Sequence, residues 1–287
     1  MIIKKALIGC NDNPTYLPFW IPISKAWKNI GIEPVLLHTS DKPLMYRKIL
    51  EEYGTVHHYP RHPKLISPNQ AMIIRFLHAM SCGDDVVAIA DSDSFPLSKE
   101  YFDTVVKDVP DDKLVALGAN AYYGLPFDVK HFYPAGYLIA TGNTFKKILN
   151  PKNLSNYDLI DEWCKFEFRK VDGIASRTGP TPAKPTVFSD EEMLKLIFDD
   201  YEGFDDIVVE MDREWNGRYY TNSIDRCDWQ IDTQKLLNNE YEDSHMLRPY
   251  WENRAALQPL LDHMNVGFTD EDIERIKYLN AMYPTLR

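Results

Sequence analysis

The sequence has few cysteines, and no two of them are closely spaced. The four are Cys10, Cys82, Cys164 and Cys227, and none forms the CxxC clamp that is typical of a structural zinc site. We therefore expect reduced thiols and a cytoplasmic protein. The apolar part of the N-terminus is too short for a signal peptide. No run reaches the roughly 18 apolar residues of a membrane span, so we expect no transmembrane segment.

Basic residues are outnumbered by acidic ones. The 287-residue chain has 32 Lys and Arg against 43 Asp and Glu, which gives a net charge of -11. A nucleic-acid-binding protein needs a basic face, so this balance argues against that class. An anionic ligand would need a cation or a local basic cluster. The hydrophobic share of 44% is ordinary for a globular protein.

Strand and helix patterns alternate through the first 100 residues. The strand patterns are IIKKALIGC, EPVLLHTS, TVHHYP and DVVAIA, separated by the helix patterns LPFWIPISKAWKNIG, LMYRKILEEYG and SPNQAMIIRFLHAMSCG. This order predicts an α/β fold with a mostly parallel, doubly wound sheet and helices on both faces. In such sheets ligands bind at the carboxyl ends of the strands.

The second half of the chain is less regular. Strand patterns occur in KLVALGANAYYG, AGYLIATG and DIVVEM, and helix patterns in YDLIDEWCKFEFRK, SDEEMLKLIFDDY, ENRAALQPLLDHM and TDEDIERIKYLNAMY. Ser189 is the predicted cap of the SDEEMLKLIFDDY helix. The Pro-, Gly- and Thr-rich segment 176–186 predicts a mobile loop. With no clear linker, residues 1–287 are expected to form a single domain.

Two carboxylates follow the predicted buried strand in VVAIADSDSF. Charges are costly near a core unless something pairs with them, and Asp91 and Asp93 would repel each other. On a strand, residues two apart point to the same side. Paired carboxylates suit a hard divalent cation, Mg²⁺ or Mn²⁺, which also accepts phosphate oxygens. The sequence therefore predicts a metal site, and replacing one carboxylate is expected to leave the fold intact.

A second D-x-D pair, Asp270 and Asp272 in TDEDIE, has a different context. It lies at a predicted helix start, where acidic side chains cap the helix and offset its dipole. We interpret this pair as structural.

Five segments across roughly residues 1–250 occur in the order of a known family: NQAMIIRF, VVAIADSDSFPL, PAGYLIATGNTF, FSDEEMLKL and YEDSHMLRPYW. Through them the chain resembles nucleotide-sugar-dependent glycosyltransferases of the GT-A fold. The resemblance implies a GT-A-like, Rossmann-like mixed sheet. Residues 1–100 would be the nucleotide-binding half, 101–250 the acceptor half with a metal-ligand segment, and 251–287 terminal helices.

The resemblance implies metal and donor roles for particular residues. Asp93 would bind the cation directly, and Asp91 would bind the donor ribose or the cation through water. His245 would be a further metal ligand, on the same strand face as Asp243, and an imidazole favours Mn²⁺ over Mg²⁺. A strand histidine bonded to a backbone carbonyl is the alternative for His245. The expected donor-binding residues are Asn11, Asp12, Tyr16, Arg75, Asp91, Ser92, Gly136 and Arg248.

Three of these residues have particular alternatives. Arg75, on an otherwise apolar helix pattern, would reach the donor diphosphate or brace Asp91, and the alternative is a surface arginine. Gly136 would lie beside the donor sugar or simply begin a strand. The helix-start residues Asp190 and Glu191 match the family's acidic motif near the acceptor, where a carboxylate acts as general base. Their order is reversed from the commoner Glu-Asp, and an ordinary helix start explains them equally.

The expected function is therefore divalent-metal-dependent transfer of a sugar from a UDP-sugar or GDP-sugar to an acceptor hydroxyl, in glycan biosynthesis. The acceptor would be a glycan, a protein or a small molecule. One alternative is a sugar nucleotidyltransferase, although IGCNDNPTY lacks the Gly-rich, basic loop expected for a triphosphate. The other is a non-catalytic nucleotide-sugar-binding protein.

Overall fold

A seven-stranded mixed sheet forms the centre of the protein, as seen in a computed structural model that describes residues 1–41, 47–121, 132–165, 190–214, 220–266 and 268–281. In chain order the strands are β1 (Lys5–Asn11), β2 (Glu33–Thr39), β3 (Thr55–Tyr59), β4 (Val86–Ala90), β5 (Ser94–Pro96), β6 (Leu114–Leu117), β7 (Tyr137–Thr141), β8 (Val208–Met211), β9 (Ser223–Asp225) and β10 (Asp243–His245). The main sheet has the order β3-β2-β1-β4-β7-β6-β8. Only β7 runs antiparallel to its neighbours, so the predicted mostly parallel α/β sheet is confirmed.

Helices cover both faces of this sheet. They are α1 (Trp20–Asn29), α2 (Arg47–Glu51), α3 (Ser67–Ala79), α4 (Lys99–Lys107), α5 (Gly142–Leu149), α6 (Asn156–Trp163), α7 (Asp190–Asp200), α8 (Phe204–Ile207), α9 (Thr233–Leu237), α10 (Tyr250–His263) and α11 (Asp270–Ala281). Among the helices within these ranges, none combines the length and the apolar character that crossing a bilayer requires.

Successive strand residues alternate between two apolar layers. Ile8 packs into a layer with buried side chains of α1, α4, α10 and α11. Its neighbour Leu7 packs into the opposite layer, with side chains of α3, α5, α6 and α7. The central strands read as continuous apolar runs because both of their faces are buried, as in parallel sheets generally. The predicted doubly wound arrangement follows from this alternation.

Helix α3 lies unusually close to β1 because residue 9 is a glycine. A Cβ atom at Gly9 would lie 1.9 Å from the backbone oxygen of Ala71, a distance that no side chain tolerates. Arg75 follows Ala71 by one helical turn and therefore lies on the same face of α3. The glycine thus lets α3 bring Arg75 to the carboxyl ends of the strands.

The segment after Asp93 forms a strand that was not predicted. Ser94–Pro96 is β5, which belongs to a second sheet of order β5-β10-β9. In this sheet β10 is antiparallel to β5 and parallel to β9. A strand of three residues carries too little pattern for a sequence prediction. The predicted loop at 176–186 and the predicted cap Ser189 lie outside the described residues.

The second D-x-D pair is structural, as predicted. Asp272 and Thr269 form a reciprocal cap at the start of α11: the Thr269 backbone N–H donates to Asp272 Oδ2 at 2.8 Å, and the Asp272 N–H donates to Thr269 Oγ1 at 3.1 Å. Asp272 also accepts hydrogen bonds from Lys25 Nζ at 2.6 Å and Tyr53 Oη at 2.5 Å. This buried carboxylate therefore ties α11 to α1 and to the end of α2.

Candidate functional site

A cavity of about 460 Å³ opens at the carboxyl ends of β1 and β4 and beside α3. It brings together most of the residues that the sequence singled out. Those that line it are Asn11, Tyr16, Arg75, Asp91, Ser92, Asp93, Asp190, Glu191, His245 and Arg248. Backbone and side-chain atoms of β1 and α3 complete the wall, including Gly9 and Ala71. The close approach at Gly9 is therefore part of the cavity itself.

Two predicted donor-binding residues do not line this cavity. The carboxylate of Asp12 points to β2, where it bonds His38 Nε2 at 2.9 Å and accepts a hydrogen bond from Ser40. Gly136 immediately precedes β7, and a Cβ at this position would meet nothing within 4 Å. Crowding therefore does not explain the glycine at this position.

Asp91 and Asp93 lie in a turn and not on a strand. The Ser94 N–H donates to the Asp91 backbone oxygen at 3.1 Å, which closes a tight turn between β4 and β5. The expected geometry was therefore wrong, but both carboxylates still reach the same cavity. Asp93 is only 3% exposed. Its backbone oxygen accepts a hydrogen bond of 2.9 Å from the Met246 N–H, which fixes it to the end of β10.

The pairing of β5 with β10 brings His245 to the two carboxylates. In the antiparallel register His245 lies opposite Ser94, the residue after Asp93. Asp91, Asp93 and His245 each offer a ligand atom, and these three atoms lie within 4.8 Å of one another. Two carboxylates and an imidazole form a donor set of mixed hardness that suits Mn²⁺. The convergence of these side chains therefore fits a divalent cation.

Asp243 does not join this cluster, although it shares a strand with His245. Its carboxylate accepts hydrogen bonds of 2.8 and 3.2 Å from the guanidinium of Arg213. Arg213 also donates to Glu242 at 2.9 Å. These pairs join the end of β8 to β10, so Asp243 anchors the strand that carries His245.

The Asp93 carboxylate is surrounded by positive groups. Arg226 Nη1 donates to its Oδ2 at 2.8 Å, Arg248 Nε lies 3.3 Å from the same atom, and His245 Nε2 lies 3.4 Å from Oδ1. Burial raises the pKa of Asp93, but His245, Arg226 and Arg248 together hold that pKa below its ordinary value. For Asp93 the sequence predicts only a cation as partner, whereas the fold itself supplies three positive groups.

Asp225 holds the far side of the His245 ring. The parallel register of β9 and β10 places these residues opposite each other, with Asp225 Oδ2 3.7 Å from His245 Nδ1. Burial lowers the pKa of His245, but Asp93 and Asp225 raise it to about 9. Asp225 is in turn fixed by the Cys227 N–H at 2.7 Å. Burial raises the pKa of this carboxyl, but His245 and the Cys227 N–H bring it down to about 2.

Arg75 is a buried ion-pair partner and not a surface arginine. It is 3% exposed, donates to Asp91 Oδ1 at 2.6 Å and also pairs with Asp190. Its Nε donates to the Met72 backbone oxygen at 3.1 Å. Burial disfavours its charge, but the two carboxylates raise its pKa above the ordinary value. Burial, with Asp93 and Asp190, raises the pKa of Asp91, although Arg75 opposes the shift.

Helix α7 begins at Asp190, and both predicted acidic residues of its first turn line the cavity. Asp190 is buried and faces Arg75. Glu191 is partly exposed, and its backbone oxygen accepts a hydrogen bond of 3.1 Å from the Tyr133 N–H. The two carboxylates therefore have different surroundings, because only Asp190 pairs with Arg75.

Arg248 and Tyr16 form a basic and aromatic edge of the cavity. The Arg248 guanidinium lies 4.9 Å from the centre of the Tyr16 ring and donates to its hydroxyl. Burial raises the pKa of Tyr16, while Arg248 lowers it and Asp93 raises it further. On the other side, Asn11 Nδ2 donates to Ser67 Oγ at 2.9 Å.

Arg226 and Asp225 were not predicted from the sequence. Arg226 lines the cavity, and both residues belong to the segment SIDRCDW, which has no recognisable motif. Only the pairing of β9 with β10 brings this segment to His245. The only signal in the sequence is that the adjacent residues Asp225 and Arg226 carry opposite charges, and such pairs are common on solvated surfaces.

The sheet order and the helices on both faces define the GT-A fold. The protein superposes on an active-site mutant of LgtC with a TM-score of 0.52 and 13% sequence identity, over 94% of this chain and 99% of that one. This likeness shows the fold. No protein-family model matches the sequence, and no curated protein matches it.

Other solved structures are similar too. The galactosyltransferase LgtC in complex with donor and acceptor sugar analogs is 11% identical, with a TM-score of 0.48 over 94% of this chain and 99% of that one. The glycosyltransferase GlyE of Streptococcus pneumoniae TIGR4 is 12% identical, with a TM-score of 0.49 over 100% of this chain and 66% of GlyE.

Proposed function

We propose that this protein is a divalent-metal-dependent glycosyltransferase that moves a sugar from a nucleoside diphosphate sugar to an acceptor hydroxyl. The observation that carries the proposal is the convergence of Asp91, Asp93 and His245 within 4.8 Å, in a cavity at the carboxyl ends of the strands. That end of an open α/β sheet is where ligands bind. The GT-A fold makes a nucleotide sugar the ligand that this cavity suits best.

The three side chains would hold Mn²⁺ or Mg²⁺, and the imidazole favours Mn²⁺. When bound, such a cation offsets the negative charge that builds up on the departing diphosphate. Asp93 is the ligand whose ionised form the fold favours most, because three positive groups surround it. Asp91 is shared with Arg75, which suits contact with the donor ribose or with the cation through water.

The basic residues of the cavity would bind the donor's phosphates and position it. Arg248 is anchored on Tyr16 and faces the same space as Asp93, so its guanidinium is placed to bind a diphosphate. Arg75 braces Asp91 and Asp190 together. Because the chain carries a net charge of -11, these local positive groups would be needed to admit a diphosphate.

A general base on the acceptor side would be Asp190 or Glu191. Both lie at the start of α7 and line the cavity. Asp190 is fixed by Arg75, so it has to share or release that contact to take a proton from an acceptor hydroxyl. Glu191 has a partly exposed side chain and is the second candidate. A base of this kind contributes about 10²- to 10⁴-fold to a rate.

A panel of UDP- and GDP-sugars tests the proposal. Each is first added with Mn²⁺ to the purified protein, and the rise in melting temperature is measured, since a ligand that binds only the folded state stabilises it by mass action. The stabilising donor is then incubated with the protein, and the released products are identified. We expect metal-dependent release of free nucleoside diphosphate, faster with an acceptor.

Other outcomes overturn the proposal. Formation of pyrophosphate would identify a nucleotidyltransferase. Stabilisation by a nucleotide sugar without release of any product, across acceptors of the glycan, protein and small-molecule classes, would identify a binding protein. If chelation of divalent cations does not affect the release of nucleoside diphosphate, the transfer reaction does not depend on a metal.

A further inference from the structure

One guanidinium occupies the space between two of the proposed metal ligands. Arg226 Nη1 donates to Asp93 Oδ2 at 2.8 Å and also contacts His245 Nε2. These are the side-chain groups that would face a cation. Arg226 belongs to a short 3₁₀ helix, Arg226–Asp228, directly after β9. No sequence motif and no expectation from the fold assigns it a role.

This position of Arg226 and a bound cation exclude each other. A divalent cation lies about 2.0–2.2 Å from its oxygen and nitrogen ligands. A guanidinium nitrogen that donates to Asp93 and contacts His245 occupies the space between the two ligands, and it engages a carboxylate lone pair that the cation needs. A cation bound beside this guanidinium would also bring two positive charges almost into contact. Either the side chain of Arg226 moves when a cation binds, or no cation binds to these two residues.

The surroundings of Arg226 allow it to move, whereas those of Arg248 hold that residue in place. Both arginines face Asp93 Oδ2. Arg248 is stacked 4.9 Å from the Tyr16 ring centre and donates to its hydroxyl. Within the described residues, Arg226 forms its hydrogen bonds and its ion pair with Asp93 and His245. Its side chain is 27% exposed and lines the cavity, so it borders open space into which it can rotate.

We propose that Arg226 is an internal stand-in for the metal ion and becomes a phosphate-binding residue when the cation arrives. The inference rests on the proposed function. Before the cation binds, Arg226 pairs with Asp93 and keeps the ligand set together. The cation displaces the guanidinium into the cavity, where the donor's diphosphate is its natural partner, since a guanidinium matches phosphate oxygens in a bidentate geometry. Metal and donor therefore bind cooperatively, because both require Arg226 in the displaced position. In that position the metal ligands are free and the guanidinium faces the donor's diphosphate.

Titration calorimetry on the full chain tests this, with Mn²⁺ alone and with UDP or GDP in the presence and absence of Mn²⁺. For Arg226→Ala we expect tighter binding of Mn²⁺ alone, by about tenfold, if the stand-in position is about nine-tenths occupied. The same variant should bind the nucleoside diphosphate with Mn²⁺ about 10- to 100-fold more weakly, the range of a charge-assisted pair. These opposite changes are the signature of the two roles.

Two further variants make the result interpretable. Arg254→Ala removes one positive charge from α10, where Arg254 lies over the Trp251 ring, so it measures the effect of net charge alone on Mn²⁺ affinity. Arg226→Gln keeps most of the side-chain length and should change both affinities in the same directions as Arg226→Ala. It keeps the test open if Arg226→Ala folds poorly.

The outcomes separate this inference from the proposed function. If Asp93→Asn abolishes Mn²⁺ binding but Arg226→Ala and Arg226→Gln bind Mn²⁺ like Arg254→Ala, the metal site stands and the stand-in role is wrong. If the wild-type protein binds the nucleoside diphosphate equally with and without Mn²⁺, and the Arg226→Ala variant does not bind it, Arg226 replaces the metal permanently. The metal-dependent mechanism is then wrong. If no form binds Mn²⁺, both are overturned.

Discussion

Arg75 Nη1 lies 2.6 Å from Asp91 Oδ1, and through this contact the two carboxylates of the D-x-D pair acquire different partners. Asp91 shares a buried arginine with Asp190, whereas Asp93 faces His245, Arg226 and Arg248. The pKa values of the two carboxyls move in opposite directions, that of Asp91 upward and that of Asp93 downward, even though burial raises both. The two residues should therefore respond differently to substitution.

Asp93→Asn should weaken Mn²⁺ binding more than Asp91→Asn does. Asp93 has the carboxylate that its neighbours keep ionised, while Asp91 is engaged by Arg75. Calorimetric titration with Mn²⁺ measures both affinities. A larger loss in Asp91→Asn would reverse the assignment of the direct ligand.

The same substitution should also lower stability, contrary to the expectation from charge repulsion. Asp93→Asn removes the common partner of several positive groups, and we expect a loss of about 1–3 kcal/mol in the free energy of unfolding, since those groups remain partly exposed. Urea denaturation without added metal measures it. An unchanged or increased stability would show that repulsion between Asp91 and Asp93 outweighs these ion pairs.

Asp225→Asn should weaken Mn²⁺ binding by about 10- to 100-fold, because a partner that orients a ligating histidine has an effect of that size. Asp225 would act through His245, which it faces at 3.7 Å, without contacting the cation. The matched control is Asp228→Asn, in the 3₁₀ helix that follows Asp225, which changes the charge equally but leaves His245 alone. Equal Mn²⁺ affinities in the two variants would show that Asp225 does not orient His245 for the cation. Its role would then be limited to the capping bond with the Cys227 N–H.

Asp190→Asn and Glu191→Gln should separate the two candidate bases. The variant that lacks the general base should keep its affinity for the nucleotide sugar with Mn²⁺. Its transfer rate should fall by about a hundredfold or more. Asp190→Asn should also lower the free energy of unfolding by about 1–3 kcal/mol, because the buried Arg75 loses one charged partner. Measuring the transfer rate and the urea midpoint together separates chemistry from stability. Near wild-type transfer in both variants would exclude a base at this helix start.

Asp272 should contribute to stability in a pH-dependent way. Burial raises its pKa, but Lys25, Tyr53 and the Thr269 N–H bring it down to about 2, from an ordinary value of 3.8. A carboxyl with a lowered pKa stabilises the fold above the unfolded pKa, and this contribution is lost as the pH falls from about 4 to about 2. The shift corresponds to about 2 kcal/mol.

Urea denaturation of Asp272→Asn at several pH values checks this prediction. The variant should be about 2 kcal/mol less stable than wild type near pH 6, and the difference should shrink as the pH approaches 3. Asp270→Asn, from the same motif but exposed, should show almost no difference at either pH. A difference that is constant with pH would mean that the Asp272 effect does not arise from its charge.

The sequence was most informative where its pattern repeats. Strands β1, β2 and β4 could be predicted because successive helices bury most of their residues, which leaves continuous apolar runs such as VVAIA. The direction of β7 could not, since a fully buried strand looks the same in either orientation. The position of Asp91 and Asp93 at the end of β4 followed from the run before them. Their location in a turn did not, because β5 has only three residues.

The site was predicted unevenly for a related reason. Asp91, Asp93 and His245 belong to segments that resemble a known fold, and the structure brings them together. Arg226 and Asp225 could not be found, because the pairing of two three-residue strands is what aligns Asp225 with His245. The burial of Arg75 was open in the sequence as well. It depends on the close approach of α3 to β1 at Gly9, which no local pattern records.

The register that sets Ser94 opposite His245 also has a consequence for protein synthesis. More than half of the chain separates Asp93 from His245, so the ribosome completes the first four strands long before it reaches β10. N-terminal parts of a chain can begin to fold while the rest is still being made. During that interval the two carboxylates exist without their imidazole, and a cation has little to hold it. Metal binding would therefore favour only a chain whose β10 has already emerged, and it would give a nascent chain no help in folding.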